Sequence, residues 1–492
     1  MARHEVTVIG GGITGLAAAF ELTGGARPLG EDGPKVTVLE ASEHFGGKLG
    51  ATTIAGVVVD AGPDGVLARR REAATLLEDL GRADLLVPID ASGASVFARG
   101  QLRPLPDGMQ LGVPTSWRTL RSSHLLSTAG LLRALVDVVA PRPASRGHLQ
   151  DRTIGGLVET KLGHEVVATL VDPMLGGITA GRVAEMSAAA VFPQLLEAGQ
   201  ERGSLMKALQ GQMAAAAPPP PPDGEPRPVP PAFVTPVTGM HSIPTLLVEE
   251  LTRRGVTFLA DRQVTALRRR GGSDPGWSVD TDQTTTSADG VIITTPTDAA
   301  AELLRPHDVE AASLLDQTEY SSVAVVTFAF PKANLTLPTH GTGALVPPGT
   351  QHRRGPLDGR RYLTTAVTFL DRKWPHLATK EMVLLRASVG RIDDERLASL
   401  NDDEVIEIVG LELAELFGTM PAPIDVTVTR WMASLPQYRV NHLLRVGGIE
   451  SAVDRLHGVE IAGAAYRGVG VPACIASGRQ AAARLSELLA RG

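Results

Sequence analysis

Six consecutive residues, Gly10-Gly11-Gly12-Ile13-Thr14-Gly15, set glycines in a G-x-G-x-x-G spacing. That spacing suits a dinucleotide. One glycine makes a tight turn, one lets backbone N–H groups approach a pyrophosphate, and one lets a helix pack close to a strand. Glycine-rich strings are common, so the context carries the weight. Here the glycines follow the apolar stretch Glu5–Ile9 and open LAAAFEL at 16–22, a strong helix former. The N-terminus of such a helix adds partial positive charge toward phosphates. Glu40 ends the second apolar stretch, Val36–Leu39. A carboxylate there accepts hydrogen bonds from ribose hydroxyls and repels a 2′-phosphate, which disfavours NADP. It lies farther from the glycines than the usual ~20 residues, and the Gly/Pro-containing loop 24–35 accounts for the excess.

The elements that must position these residues form a strand–turn–helix–strand unit, the opening of a doubly wound sheet. Residues 104–213 read as mostly helical, and Pro218–Pro231 is too proline-rich for helix or sheet interior. Strands follow near Phe258, at Val264–Leu267 and at Gly290–Thr294. Residues 323–430 mix alternating strands with the helix Asp403–Phe417. Near the end come a strand at Val459–Ala462, a glycine-rich turn at Gly470-Val471-Pro472, and a helix from Ile475 to Leu489.

With 492 residues the chain has room for about two to four domains. One cysteine, Cys474, excludes an intramolecular disulfide and a cysteine-based metal cage. A net charge of −7 with mixed signs argues against nucleic acid. No apolar run reaches the ~18–20 residues that span a bilayer, so a cytoplasmic location is expected. Leu125–Val139 reads as an amphipathic helix with Arg133 and Asp137 on one side. It is expected to pack inside its domain; peripheral contact with the inner face of a membrane is the alternative. No Ser-His-Asp arrangement, H-E-x-x-H string or paired acids with a motif around them appear, so no side chain is assigned as a general base.

Gly46-Gly47-Lys48 followed by Asp60-Ala61-Gly62-Pro63 makes the reading more specific, because with Glu40 it resembles the amine-oxidase-like flavoproteins. The strings GGGITGLAAAFEL, VDAGPDGVLARR, LVDPMLGGITAGRVAEMS, TRWMASLPQY and YRGVGVPACIASG narrow it further. They are similar to bacterial coproporphyrinogen/protoporphyrinogen oxidases, in the family's order and over nearly the whole chain. The resemblance implies an FAD-binding Rossmann-like α/β domain, an α+β substrate domain and a mostly helical insertion. It assigns 1–75, 233–298 and 446–492 to the cofactor domain, 76–103 and 299–445 to the substrate domain, 104–217 to the helical part, and 218–231 to a linker.

Carried onto this sequence, the resemblance implies FAD contacts, non-covalent, at Gly10, Gly11, Gly12, Ile13, Thr14, Gly15, Glu40, Ala41, Lys48, Gly62, Pro63, Asp64 and Gly65. Val264 would meet the adenine end through its backbone, and Trp431 with Gly470, Val471 and Pro472 would lie near the isoalloxazine. Many relatives carry Arg where this chain has Lys48, which gives up bidentate contact with phosphate. Cys474 reads as a small buried residue rather than a covalent tether. A loop at Gly176–Gly181 would wall the active site, with backbone carbonyls near Gly177 facing the substrate. Arg71 would anchor a propionate, ahead of Arg69 and Arg70, with Arg103, Arg118 and Arg121 behind.

The implied activity is six-electron oxidation of coproporphyrinogen III in heme biosynthesis, with dioxygen as acceptor and peroxide released. Protoporphyrinogen IX is the alternative substrate. A phytoene-desaturase-like enzyme, an amine oxidase and a scaffold without flavin are the rival readings.

Overall fold

The computed structural model describes residues 3–90, 93–140, 150–200, 203–216, 231–271, 275–333, 335–338 and 341–491. The proline-rich stretch lies outside them except for its last residue. Five helices matter to the site: α1 (Ile13–Leu22), α2 (Thr128–Val139), α3 (Asp172–Thr179), α4 (Asp402–Phe417) and α5 (Val471–Arg491).

A five-stranded parallel sheet is built from β1 (Glu5–Ile9), β2 (Lys35–Leu39), β3 (Thr257–Leu259), β4 (Gly290–Ile293) and β5 (Val459–Ile461). Their spatial order is β3-β2-β1-β4-β5. Val, Ile and Leu fill these strands because a parallel sheet is covered on both faces. The period of two sorts them. Val6, Val8, Val36, Val38 and Ile292 pack with α1 and α5, while Ile9, Leu39, Val291, Ile293 and Ile461 face a second core.

A seven-stranded sheet forms the other half. Its long strands are Asp425–Pro436 at one edge, then Tyr320–Pro331 and Met382–Val389, and it ends at the other edge with the hairpin Ser95–Ala98 and Gln101–Pro104. α4 covers one face through Val405, Val409 and Leu413. It starts with a capping box in which Asn401 and Glu404 satisfy each other's backbone N–H. A third core, centred on Leu157, Val166, Leu170 and Leu195, belongs to the helices between 117 and 216.

Three expectations change. The last helix begins at Val471, not Ile475, so the turn after Gly470 is its first turn. Proline at the second position suits this, since its missing N–H had no intrahelical partner to lose. Gly176 and Gly177 are not loop residues: α3 runs through them to Thr179 and ends at Ala180 in the left-handed region, φ 50°. The third change is in α2, which begins at Thr128 rather than Leu125; the side that carries Arg133 and Asp137 is its inner one. Arg133 donates to the Glu159, Thr160 and Lys161 carbonyls at a helix end. Buried Asp137 accepts from Ser204 and from the Leu205 and Met206 N–H groups. Both act as caps for neighbouring helices. Leu132 and Val139 consequently stand 60% and 68% exposed on the outer face.

Candidate functional site

β1 delivers the chain to Gly10, whose φ of +103° excludes a side chain. A Cβ on Gly15 would lie 1.9 Å from the Gly10 carbonyl oxygen, so α1 is seated hard against the turn. Gly12 caps α1 without a side-chain acceptor. The N–H groups of Ile13, Thr14 and Gly15 therefore remain free donors at a helix N-terminus. The Gly46–Gly47 segment lies alongside: Gly46 N donates to Gly11 O at 2.8 Å, and Gly12 bridges Gly46.

Glu40 leaves the end of β2 and bends back to this turn. Its Oε2 accepts from Gly11 N at 2.7 Å, and its Oε1 accepts from Ser42 N at 2.9 Å and Ser42 Oγ at 2.8 Å. Ala41 beside it is exposed. The Glu40 carbonyl accepts from Arg262 N at 2.9 Å, which brings the strand opened by Val264 to the same edge.

Solvent-accessible Lys48 and buried Cys474 lie near enough beside this turn for their charges to act on each other. Burial pushes the Lys48 ammonium below its ordinary pKa, against the opposing pull of Cys474. Burial pushes the Cys474 thiol up, against Thr14 and Lys48, so it stays protonated and unreactive. The strip Gly62–Gly65 is fixed from several sides. A Cβ on Gly62 would sit 1.9 Å from the Lys48 carbonyl oxygen, and one on Gly65 would meet the Trp374 ring at 2.6 Å. Trp431 Nε1 donates to Ala61 O at 2.9 Å. Asp64 accepts from Lys373 Nζ at 2.8 and 2.9 Å and from Trp374 Nε1 at 3.1 Å. Burial alone would raise its pKa, yet the Lys373 and Arg386 charges pull it down to about 2. Arg386 donates to the Gly62 carbonyl.

The first turn of α5 closes the cradle, and Gly478 backs onto α1, where a Cβ would lie 2.1 Å from Thr14 O. Behind the turn, Tyr438 Oη donates to Ala464 O at 2.6 Å and accepts from Gly468 N at 2.7 Å. The His442 ring stacks on Tyr438 at 3.7 Å and makes a 2.7 Å hydrogen bond to Tyr466 O. Burial and the nearby Arg445 push His442 down to about 4, so it is neutral.

Gly177 lies in the last turn of α3. The Gly181 N–H, which would continue the ladder to its carbonyl, turns to Thr179 Oγ1 at 3.2 Å. Buried Gln437 ties this helix end to the large sheet, donating to Thr179 O at 3.0 Å and Ser321 Oγ at 3.1 Å. Arg71 is paired with Glu78 on its own helix at 2.6 Å rather than with any part of the glycine cradle. Arg70 pairs with Glu72; Arg69, Arg118 and Arg121 are exposed; Arg103 is half-buried beside Gln101.

Lys373, Trp374 and Arg386 are absent from the sequence-derived site, since nothing near them forms a motif, and Gly478 ends the string YRGVGVPACIASG without having been given a role. Gln437 and Tyr438 stood inside the string TRWMASLPQY, the one signal that pointed at them. Among the described residues no cluster of His, Cys, Asp or Glu could hold a metal, and no helix is long and apolar enough to cross a membrane.

The N-terminus of α1, with N–H groups that have no acceptor among the described residues, and the Glu40 carboxylate bent back onto the glycine turn together fit a dinucleotide. A parallel sheet carrying that cradle against a large mixed sheet defines a flavoprotein oxidoreductase. Residues 13–486 match the flavin containing amine oxidoreductase family, and the chain belongs to it, with FAD as its cofactor. It is 33% identical to the coproporphyrinogen III oxidase of Bacillus subtilis (strain 168), over 97% of each chain. It is 32% identical to the coproporphyrinogen III oxidase of Propionibacterium freudenreichii subsp. freudenreichii, over 97% of this chain and 90% of that one. A crystal structure from Exiguobacterium sp. 255-15, provisionally named a protoporphyrinogen oxidase, superposes over 100% of both chains with a TM-score of 0.84 and 31% identity.

Proposed function

We propose that this chain oxidises coproporphyrinogen III to coproporphyrin III in heme biosynthesis. The observation that carries the reading is the end-to-end similarity to coproporphyrinogen III oxidases, at 33% identity over 97% of both chains. FAD supplies two-electron oxidation, so the six electrons and six protons leaving the porphyrinogen require three cycles. Dioxygen takes up each pair of electrons, which yields three hydrogen peroxide molecules.

In this reading residues 1–75, 233–298 and 446–492 form the cofactor domain. The α1 N-terminus and Lys48 hold the pyrophosphate, Glu40 the ribose, and Val264 the adenine end. Gly62–Gly65, Trp431 and the Gly470–Pro472 turn hold the ring. Binding is non-covalent, which the buried, protonated Cys474 supports. The Gly177 carbonyl faces the tetrapyrrole. Arg71 reaches a propionate after giving up Glu78, a solvent-exposed ion pair that costs little to exchange. The outward apolar strip Leu132, Val136 and Val139 on α2 supports peripheral contact with a membrane surface.

The test is aerobic turnover of coproporphyrinogen III and protoporphyrinogen IX side by side, read by porphyrin fluorescence and peroxide yield. Faster coproporphyrin formation with three peroxides per porphyrin is expected. Preference for protoporphyrinogen IX would transfer the assignment to that substrate. No porphyrin from either, in a protein with a flavin spectrum, would refute it.

A further inference from the structure

Arg386 sits in the interior of the large sheet, in the strand Met382–Val389, opposite Thr327 on one neighbour and Thr368 on the other. Its neighbours in sequence, Leu384, Leu385 and Ala387, are wholly buried apolar residues, and Arg386 itself is only 8% exposed. A guanidinium at such a position is costly unless it is paired and hydrogen-bonded. Both conditions are met by one short segment: its Nη2 donates to the Gly62 carbonyl, and its charge acts on Asp64.

The direction of those contacts matters. A trans peptide points its N–H opposite its C=O. Drawing the Ala61 carbonyl to Trp431 therefore turns the Gly62 N–H away from Trp431. Arg386 fixes the next plane, Gly62–Pro63, by its carbonyl; that plane carries no N–H, and it sets the course of the chain into Asp64, whose side chain Lys373 and Trp374 hold. The N–H groups of Gly62, Asp64 and Gly65 are left without an acceptor among the described residues. Arg386 also lines a cavity of about 230 Å³, together with Asp60 and the strip's own Asp64.

We propose that Arg386 is a positioning residue for the flavin, fixing the Gly62–Pro63 peptide plane and with it the course of the strip, so that the N–H groups of Gly62, Asp64 and Gly65 on either side of that plane face the ring; this rests on the assignment of that strip to the cofactor. Its action passes through the Gly62 carbonyl and reaches neither substrate nor FAD directly. Acceptors on the ring gain negative charge on reduction, so correctly aimed donors favour the reduced state.

The experiment compares Arg386→Met, which keeps the length and removes every donor, with Arg386→Lys, which restores one charged donor. FAD affinity of the reconstituted apoprotein, the flavin absorption envelope, the midpoint potential, and kcat and KM are measured on each. Arg386→Met is expected to weaken FAD binding roughly tenfold or more, the effect of losing one charge-assisted hydrogen bond. It should also shift the absorption band, lower the potential and reduce kcat with KM unchanged, and Arg386→Lys should recover part of each. If Arg386→Met yields no folded protein, Arg386→Gln carries the same readouts. Folded variants with wild-type spectrum, potential and FAD affinity would overturn the proposal. A loss of stability with those three unchanged would also overturn it, since that is what mere balancing of Asp64 predicts. Wild-type protein that binds FAD without oxidising a porphyrinogen would sink only the substrate assignment, and the spectrum and potential would still test Arg386.

Discussion

Replacing Gly478 by alanine puts a Cβ 2.1 Å from the carbonyl oxygen of Thr14 and 3.2 Å from the Ala18 nitrogen. A carbon needs roughly 3.3 Å from such an oxygen, so α5 must retreat from α1 by about 1 Å. Backbone cannot rotate aside as a side chain would. Overpacking of this kind costs ~1–3 kcal/mol, while alanine in a helix interior gains ~1 kcal/mol over glycine. The net expectation is a loss of ~0–2 kcal/mol. Gly410, inside α4, supplies the control, because a Cβ there meets nothing within 4 Å. Gly410→Ala should keep the whole helix gain and stabilise by ~1 kcal/mol. The same chemical change thus moves the two helices in opposite directions, ~1–3 kcal/mol apart. Urea midpoints of the two apoproteins measure that difference. With the first turn of α5 at the cofactor as proposed, the retreat displaces it, so titration of Gly478→Ala with FAD should give about tenfold weaker binding, equivalent to ~1.4 kcal/mol. If Gly478→Ala raises the midpoint as much as Gly410→Ala and binds FAD normally, the close seating of α5 on α1 is refuted.

Glu40→Gln replaces one of two engaged carboxylate oxygens with a donor facing N–H groups, and FAD binding should weaken roughly 10–100-fold by titration; an unchanged Kd would contradict the ribose assignment. Because burial lowers the Lys48 pKa, its protonated form is lost early as pH rises, so FAD affinity should decline at alkaline pH. Lys48→Met should abolish that dependence, and a dependence that survives would assign it to another group. Acid lability should come in two stages. His442, at about 4 folded against 6.5 unfolded, contributes stability above the unfolded value that is lost as pH falls through 4, on the order of 3 kcal/mol. Asp64, at about 2 against 3.8, contributes stability above the unfolded value that is lost as pH falls through 2, on the order of 2 kcal/mol. Urea midpoints from pH 8 to 2 read both, and a flat profile between pH 7 and 4.5 would contradict the neutral, buried His442.

The cofactor half was legible because its requirements are local. Gly10, Gly12 and Gly15 sit within six residues, and a strand before and a helix after them can be read from short windows. Arg386 and Lys373 carried no such signal. They lie 324 and 309 residues from Gly62 and Asp64, and only the folded sheet brings them together. The glycines of α3 suggested a loop because glycine disfavours helix interiors by ~1 kcal/mol. At Gly176 a Cβ would meet Arg391 at 2.7 Å and Gly181 O at 3.0 Å, so close packing overrides propensity. In α2 the sequence put Arg133 and Asp137 on one side but could not tell that this side faces in, because the helix ends they cap are distant in sequence.

The parallel sheet that carries the cradle draws its strands from residues 5–39, 257–293 and 459–461, and α5 follows them. Contacts of such sequence separation form slowly, since loops must close before they are rewarded. During synthesis β1, β2 and α1 leave the ribosome hundreds of residues ahead of β5 and α5. Until then α1 has the helix Ser242–Arg253 beside it but lacks its main partner, α5, so part of its apolar face stays uncovered. A nascent chain therefore has to keep this half shielded from aggregation, by chaperones or by its own early collapse. On the proposed placement of the flavin, loading becomes one of the last events in making the enzyme, since a chain ending before residue 471 lacks the helix that packs on α1 beside the glycine turn.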